Sequence, residues 1–299
     1  MDNMENKTNE TELTKANKGQ GVVLSTADAE EYYAYKKQQK ISQIMAALAK
    51  SEGAVTAKGD VQKVVEQAMR IHQAAVRVTP TRFAQTKNIF PKGKIRVDCI
   101  IGGDGETLSR VKAYEAKLAR RLGAEELTVV LAPTLLESCR YTEIKRELRR
   151  VKRASGKAHV KVWVDKGYPY ATLARVARIC SELGVRYLSV PYFTGCEKLR
   201  FDMCGGCRLE VVGIETLSDF KKMIGMGVGR IVTTRGFDIY TQWMKEAESI
   251  RCAPEKAMPT PTETPWKQGE KKEEEKQPAV KNPETDYRCR LEGTELKFL

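Results

Sequence analysis

From about residue 54 to 252, strand-like and helix-like segments alternate, and that alternation leaves few architectures open. Strand-like stretches lie at AVRVT (75–79), IRVDCIIG (95–102), LTVVLAP (127–133), HVKVWVDKG (159–167), YLSVP (187–191), LEVVG (209–213) and RIVTT (230–234). A weaker one at GAVTA (53–57) makes eight. Helical segments such as TLSRVKAYEAKLARRLG and ATLARVARICSELG stand between them and stop at glycine, the residue that tolerates a left-handed helix end. Strands separated by helices pair in parallel, and eight units in about 200 residues suit a closed α/β (β/α)8 TIM barrel over 53–252. An open doubly wound sheet is the alternative. It is disfavoured because no G-x-G-x-x-G turn follows the first strand and because several strands carry polar residues on one parity.

The flanks read differently. Residues 1–28 look unstructured, and 253–299 hold six of the eleven prolines interleaved with EKKEEEK, a composition too poor in apolar surface to offset chain entropy. Between 29 and 52, Ile41, Ile44, Met45 and Leu48 recur at helical spacing, an amphipathic helix that covers the barrel or docks a partner through residues 41–50. No run of about 18 apolar residues occurs and the start lacks a secretory pattern, so a cytoplasmic protein is expected, with no membrane partner and with its eight cysteines as thiols or ligands. The net charge of +13 falls in the middle of the chain, much of it at Lys145, Arg146, Arg149, Arg150, Lys152, Arg153 and Lys157. That cluster suits a solvated helix face or an anionic partner. Without a nucleic-acid motif, a phosphorylated or other anionic small molecule is expected rather than nucleic acid. Self-association is left open, and no cofactor is expected.

Strand parity sends Val160, Val162 and Val164 onto the helices and turns Lys161, Trp163 and Asp165 inward, together with Arg77, Thr79, Arg96, Asp98, Thr128 and Ser189. Charges on a barrel axis are costly unless paired, so these groups form a self-neutralising network, an anion site, or both. At the carboxyl ends of the last strands, Gly213, Thr233, Thr234 and Arg235 combine backbone N–H groups, hydroxyls and a guanidinium in a way that suits a phosphate. Cys196, Cys204 and Cys207 in one loop include a C-x-x-C and raise a thiol-metal or redox alternative.

Taken in order, AAVRVTP, VKAYEAKLARRLGAEEL, HVKVWVDKG and GIETLSDFKKMIGMGVGRIVTT resemble the class I deoxyribose-phosphate aldolases over about residues 60–245. The resemblance implies a barrel that joins or splits an aldehyde and glyceraldehyde 3-phosphate through a lysine Schiff base. It also puts Thr128 where that family has a proton-relay aspartate, Ser189 at the Schiff-base lysine and Leu209 at the second lysine. The family's opening Asp-His-Thr strand is missing. A serine hydroxyl forms no iminium, so the expected protein is a catalytically defective relative that still binds an anion. The competing expectation is an aldolase or lyase of altered chemistry in which Lys161 forms the Schiff base and Asp165 moves protons.

Overall fold

A computed structural model describes residues 26–249 of the 299. The expected unstructured tail at 253–299 and nearly all of the expected leader at 1–28 lie outside those residues. Eight parallel strands close into a barrel in chain order: β1 (Ser51–Ala54), β2 (Ala75–Val78), β3 (Arg96–Ile101), β4 (Glu126–Val130), β5 (His159–Trp163), β6 (Tyr187–Pro191), β7 (Arg208–Val212) and β8 (Arg230–Thr233). Helix α1 (Thr26–Leu48) precedes the barrel, and α2 (Val61–Arg70), α3 (Pro80–Thr86), α4 (Ser109–Leu122), α5 (Pro133–Glu137), α6 (Tyr141–Ser155), α7 (Tyr170–Glu182), α8 (Leu217–Gly225) and α9 (Gly236–Glu248) follow the strands. A short 3-10 helix, Cys196–Asp202, stands between β6 and β7.

The core lies between the strands and the helix ring, as alternation demands: Val160, Val162 and Val164 are buried there with Leu127, Val129, Leu188 and Val211. Helix α1 packs its apolar stripe, Ile44, Ala47 and Leu48, inward and lies against α9. Three of the six basic residues of α6 are engaged locally. Lys145 pairs with Glu182, Arg150 donates to Ser109, and Lys152 donates to the carbonyls that end α7. None of the described helices is long and apolar enough to cross a membrane.

Strand boundaries differ from the periodicity reading where an acidic residue opens a strand. β1 begins at Ser51, two residues before GAVTA, and β4 begins at Glu126. Both strands are held by hydrogen-bonded neighbours on each side, which overrides the weak strand preference of SEGA. At the other end β5 stops at Trp163, so Asp165 leaves the strand and is exposed, and Thr79 is exposed ahead of α3 instead of lining the axis.

The turn from β3 to α4 is fixed by backbone conformation. Gly105 has φ +95°, donates to the Gly102 carbonyl at 2.8 Å, and lies so close to β4 that an added Cβ falls 2.2 Å from the Leu131 carbonyl oxygen. Gly105→Ala should therefore lower stability by about 2 kcal/mol or more, because left-handed strain and a backbone clash add. Urea denaturation checks this; an unchanged midpoint would show that the turn relaxes freely.

Candidate functional site on the barrel axis and its carboxyl-terminal mouth

Inward parity places charged or hydroxyl side chains from all eight strands on the barrel axis: Glu52, Arg77, Asp98, Glu126, Thr128, Lys161, Ser189, Glu210 and Arg230, all essentially buried. Lys161 Nζ is at the centre. It pairs with Glu52, with Glu126 at 2.8 Å, with Glu210 at 3.0 Å and with Asp98 at 3.2 Å. Arg77 Nε bridges Asp98 at 2.7 Å and Glu52 at 2.9 Å, and its Nη2 reaches Glu210. Arg230 pairs with Glu126 at 2.6 Å and Glu52 at 3.2 Å. Of the two arrangements parity allowed, this is the self-neutralising network.

The titration of these groups follows from the crowding. Burial opposes the charge on Lys161, but Asp98, Glu210 and Glu52 outweigh it and hold the amine protonated well above its ordinary range. Burial, only partly offset by Arg77 and Lys161, pushes Glu52 up to about 8. Burial also acts against ionised Asp98 and Glu210, yet Lys161 and Arg77 keep both below the usual carboxylate range. Four carboxylates face three buried cations, and Glu52 is the acid that burial pushes furthest toward its protonated form. Arg96, the remaining inward cation, sits half-exposed at the rim and pairs with Glu126 at 3.1 Å.

The positions singled out by resemblance fall inside this network with one correction. Thr128 Oγ1 donates to Asp98 at 2.7 Å, and Ser189 Oγ donates to Glu210 at 2.5 Å. Leu209 does not face the axis. It is buried toward the helices, while the register pairs Ser189 with Glu210, so the axis-facing neighbour of Ser189 is a carboxylate. The relocated Schiff base would have to form at Lys161. Lys161 is fully buried and charged, and a protonated amine carries no lone pair for a carbonyl. Asp165 lies exposed past the end of β5, outside the set of groups that hold Lys161.

Sequence reasoning missed Glu52, Glu126, Glu210 and Arg230. Glu52, Glu126 and Arg230 sit at or beside strand starts, Glu210 lies inside β7, and only strand registration reveals that all four point inward.

The three loop thiols do not form a centre, because no group of three metal-ligating side chains occurs among the described residues. Cys196 and Cys207 are buried while Cys204 is exposed. Burial raises the Cys196 thiol and pushes Cys207 up to about 11, away from the thiolate form that metal binding or redox exchange uses.

At the mouth, Gly213 ends β7 with φ +88° and donates to the Val232 carbonyl at 3.0 Å, which brings it beside the end of β8. Thr233 Oγ1 accepts from the Arg235 N–H at 3.0 Å, Thr234 is exposed, and the Arg235 guanidinium reaches Asp238 at 3.1 Å. α9 starts at the same place without a side-chain cap, so the N–H groups of its first turn have no intrahelical partner. Deeper in, Trp163 lies under the Arg77 guanidinium at 5.1 Å. Arg77 Nη1, Trp163 Nε1 and the Tyr168 hydroxyl are buried without a hydrogen-bond partner among the described residues.

No family model matches the chain. Curated relatives do. The chain is 28% identical over 191 residues to the deoxyribose-phosphate aldolase of Staphylococcus carnosus, covering 60% of this chain and 86% of that one. It is 30% identical over 188 residues to the deoxyribose-phosphate aldolase of Microcystis aeruginosa, covering 59% and 83%. Among solved structures, the aldolase QR15 superposes with a TM-score of 0.61 at 23% identity, covering 69% of this chain and 98% of that one. The deoxyribose phosphate aldolase of Aeropyrum pernix gives 0.56 at 18%, covering 74% and 98%. Both likenesses confirm the fold, and the Microcystis relative, matched over most of its length, settles the kinship: the chain belongs to the deoxyribose-phosphate aldolase family.

Proposed function

We propose that this protein is a member of its family without Schiff-base chemistry, which binds a phosphorylated or other anionic small molecule at the carboxyl-terminal mouth of the barrel. The observation that carries the reading is the Ser189–Glu210 hydrogen bond. Where carbonyl chemistry of this kind needs a neutral amine with a second cation beside it, a hydroxyl donates to a carboxylate, and the lysine nearby is locked among four acids. Gly213, Thr233, Thr234 and Arg235, with the open first turn of α9, supply the donors for the anion. The unpartnered Arg77 Nη1, Trp163 Nε1 and Tyr168 hydroxyl support a polar ligand reaching into the axis.

The test uses purified full chain. Deoxyribose 5-phosphate should raise the melting temperature without being turned over, and Arg235→Gln should weaken that shift. Borohydride treatment with acetaldehyde should leave Lys161 unmodified by mass spectrometry. Release of acetaldehyde from deoxyribose 5-phosphate, or an adduct on Lys161, would overturn the reading.

A further inference from the structure

The end of the barrel opposite the mouth carries a cavity of about 510 Å³. Six cations line it, Lys50, Arg96, Arg186, Arg200, Arg208 and Arg230, and no carboxylate does. They come from both sides of the barrel. Arg96 opens β3, Arg186 precedes β6, Arg208 opens β7, Arg230 opens β8 and Lys50 precedes β1. Arg186 and Arg208 are rim neighbours, because the Arg208 N–H donates to the Arg186 carbonyl at 3.1 Å. Tyr187 is buried beneath them, with the Arg230 guanidinium 4.7 Å and the Arg186 guanidinium 5.9 Å from its ring centre.

Three of the six have structural duties. Arg96 binds Glu126 from the rim and the buried Arg230 binds it from inside, and Arg200 donates to the Met226 carbonyl, where a cation offsets the negative end of α8. Lys50, Arg186 and Arg208 make no ion pair with any described residue, and Arg186 and Arg208 stand at strand starts rather than helix ends. Gathering unneutralised like charges around a concave surface costs folding energy, and a concave cationic wall concentrates field on an anion entering it. The volume falls in the range of small-molecule sites, about 300–1,000 Å³. A single phosphate engages only one sector of such a wall, whereas two or more phosphates span it.

We infer that this amino-terminal cavity is a binding site for a small molecule carrying two or more phosphate groups, separate from the mouth and independent of whether the mouth binds an anion. Arg186 and Arg208 hold one phosphate between them, and Lys50 approaches from the β1 side of the same cavity.

Isothermal titration of the full chain tests it, with inorganic pyrophosphate as the primary probe and inorganic phosphate as the comparison. ADP and fructose 1,6-bisphosphate distinguish a nucleotide from a sugar source. With the mouth disabled by Arg235→Gln, pyrophosphate should bind once per chain and at least about tenfold more tightly than phosphate, since each added charge-assisted contact contributes more than the 1.4 kcal/mol that a factor of ten represents. The double variant Arg186→Gln/Arg208→Gln should lose about tenfold or more, with either single variant carrying the test if the double variant does not fold. Arg110→Gln/Lys117→Gln, which removes the same charge from the exposed face of α4, should bind as the parent does. Absence of pyrophosphate binding at low salt, equal affinity for phosphate, or equal loss in the α4 control would overturn the inference. Loss through Arg235→Gln alone would assign the binding to the mouth and overturn it as well.

Discussion

Lys161→Met should cost about 3–5 kcal/mol of stability, the range expected when one partner of a buried ion pair is removed and the other is left uncompensated. Methionine retains the unbranched stem and much of the volume, so the loss isolates the charge. Without the ammonium, four carboxylates at mid-barrel face only Arg77 and Arg230. They must either repel or take up protons, so the deficit should shrink on acidification, where protonation removes the repulsion. Against a total stability of about 5–15 kcal/mol for a natural domain, the variant is expected to unfold at markedly lower urea or not to accumulate folded at neutral pH. The same substitution separates two views of this residue. If Lys161 were a Schiff-base amine, its removal would abolish adduct formation and leave the barrel about as stable as before, because catalytic groups contribute little to folding and often detract from it. A Lys161→Met protein with unchanged urea midpoint would remove the network from the account of this fold.

The barrel was legible in the sequence because its signal is repeated. Eight apolar strand cores separated by glycine-capped helices survive boundary errors of two residues, and even SEGA finds its place once β2 and β8 flank it. The axis was legible only in part. HVKVWVD displays its parity within one strand, so Lys161 reads inward from sequence, as do Arg77, Asp98, Thr128 and Ser189. Glu52, Glu126 and Arg230 sit at or next to the first residue of their strands, where no preceding alternation sets a phase. Glu210 was lost to a one-residue uncertainty after the Cys-rich loop, and a shift of one residue exchanges the two faces of a strand. That shift turned Leu209 into the supposed partner of Ser189. For the cysteine loop, spacing alone carries no information about burial, and burial raises the Cys196 and Cys207 thiols. The amino-terminal cavity was invisible because its cations are scattered along the chain between Lys50 and Arg230 and meet only when the barrel closes.

The network also predicts how stability follows pH. Glu52 is packed against Arg77 from β2, Asp98 from β3, Glu126 from β4, Lys161 from β5, Glu210 from β7 and Arg230 from β8, and its carboxyl is held at about 8 against an ordinary 4.5. A raised value in the folded state means that folding takes up a proton between those limits. The stabilisation is complete below about 4.5, declines as pH rises toward about 8, and is gone above it. The decline can reach about 1.4 kcal/mol per pH unit, the limit for one proton. Asp98 and Glu210 act in the opposite sense. Their lowered values contribute stability above the ordinary carboxylate range that is lost on acidification through their folded-state values. The wild-type protein should therefore be most stable in mildly acidic solution and lose stability on both sides. Glu52→Gln, which imitates the protonated acid without its titration, should erase the alkaline limb and leave the acid limb in place. Urea midpoints measured from pH 4 to 9 on both proteins decide the matter. A wild-type profile that stays flat between pH 5 and 8 would mean that Glu52 is ionised and that the four acids are balanced by recruiting Arg96 from the rim instead of by a retained proton.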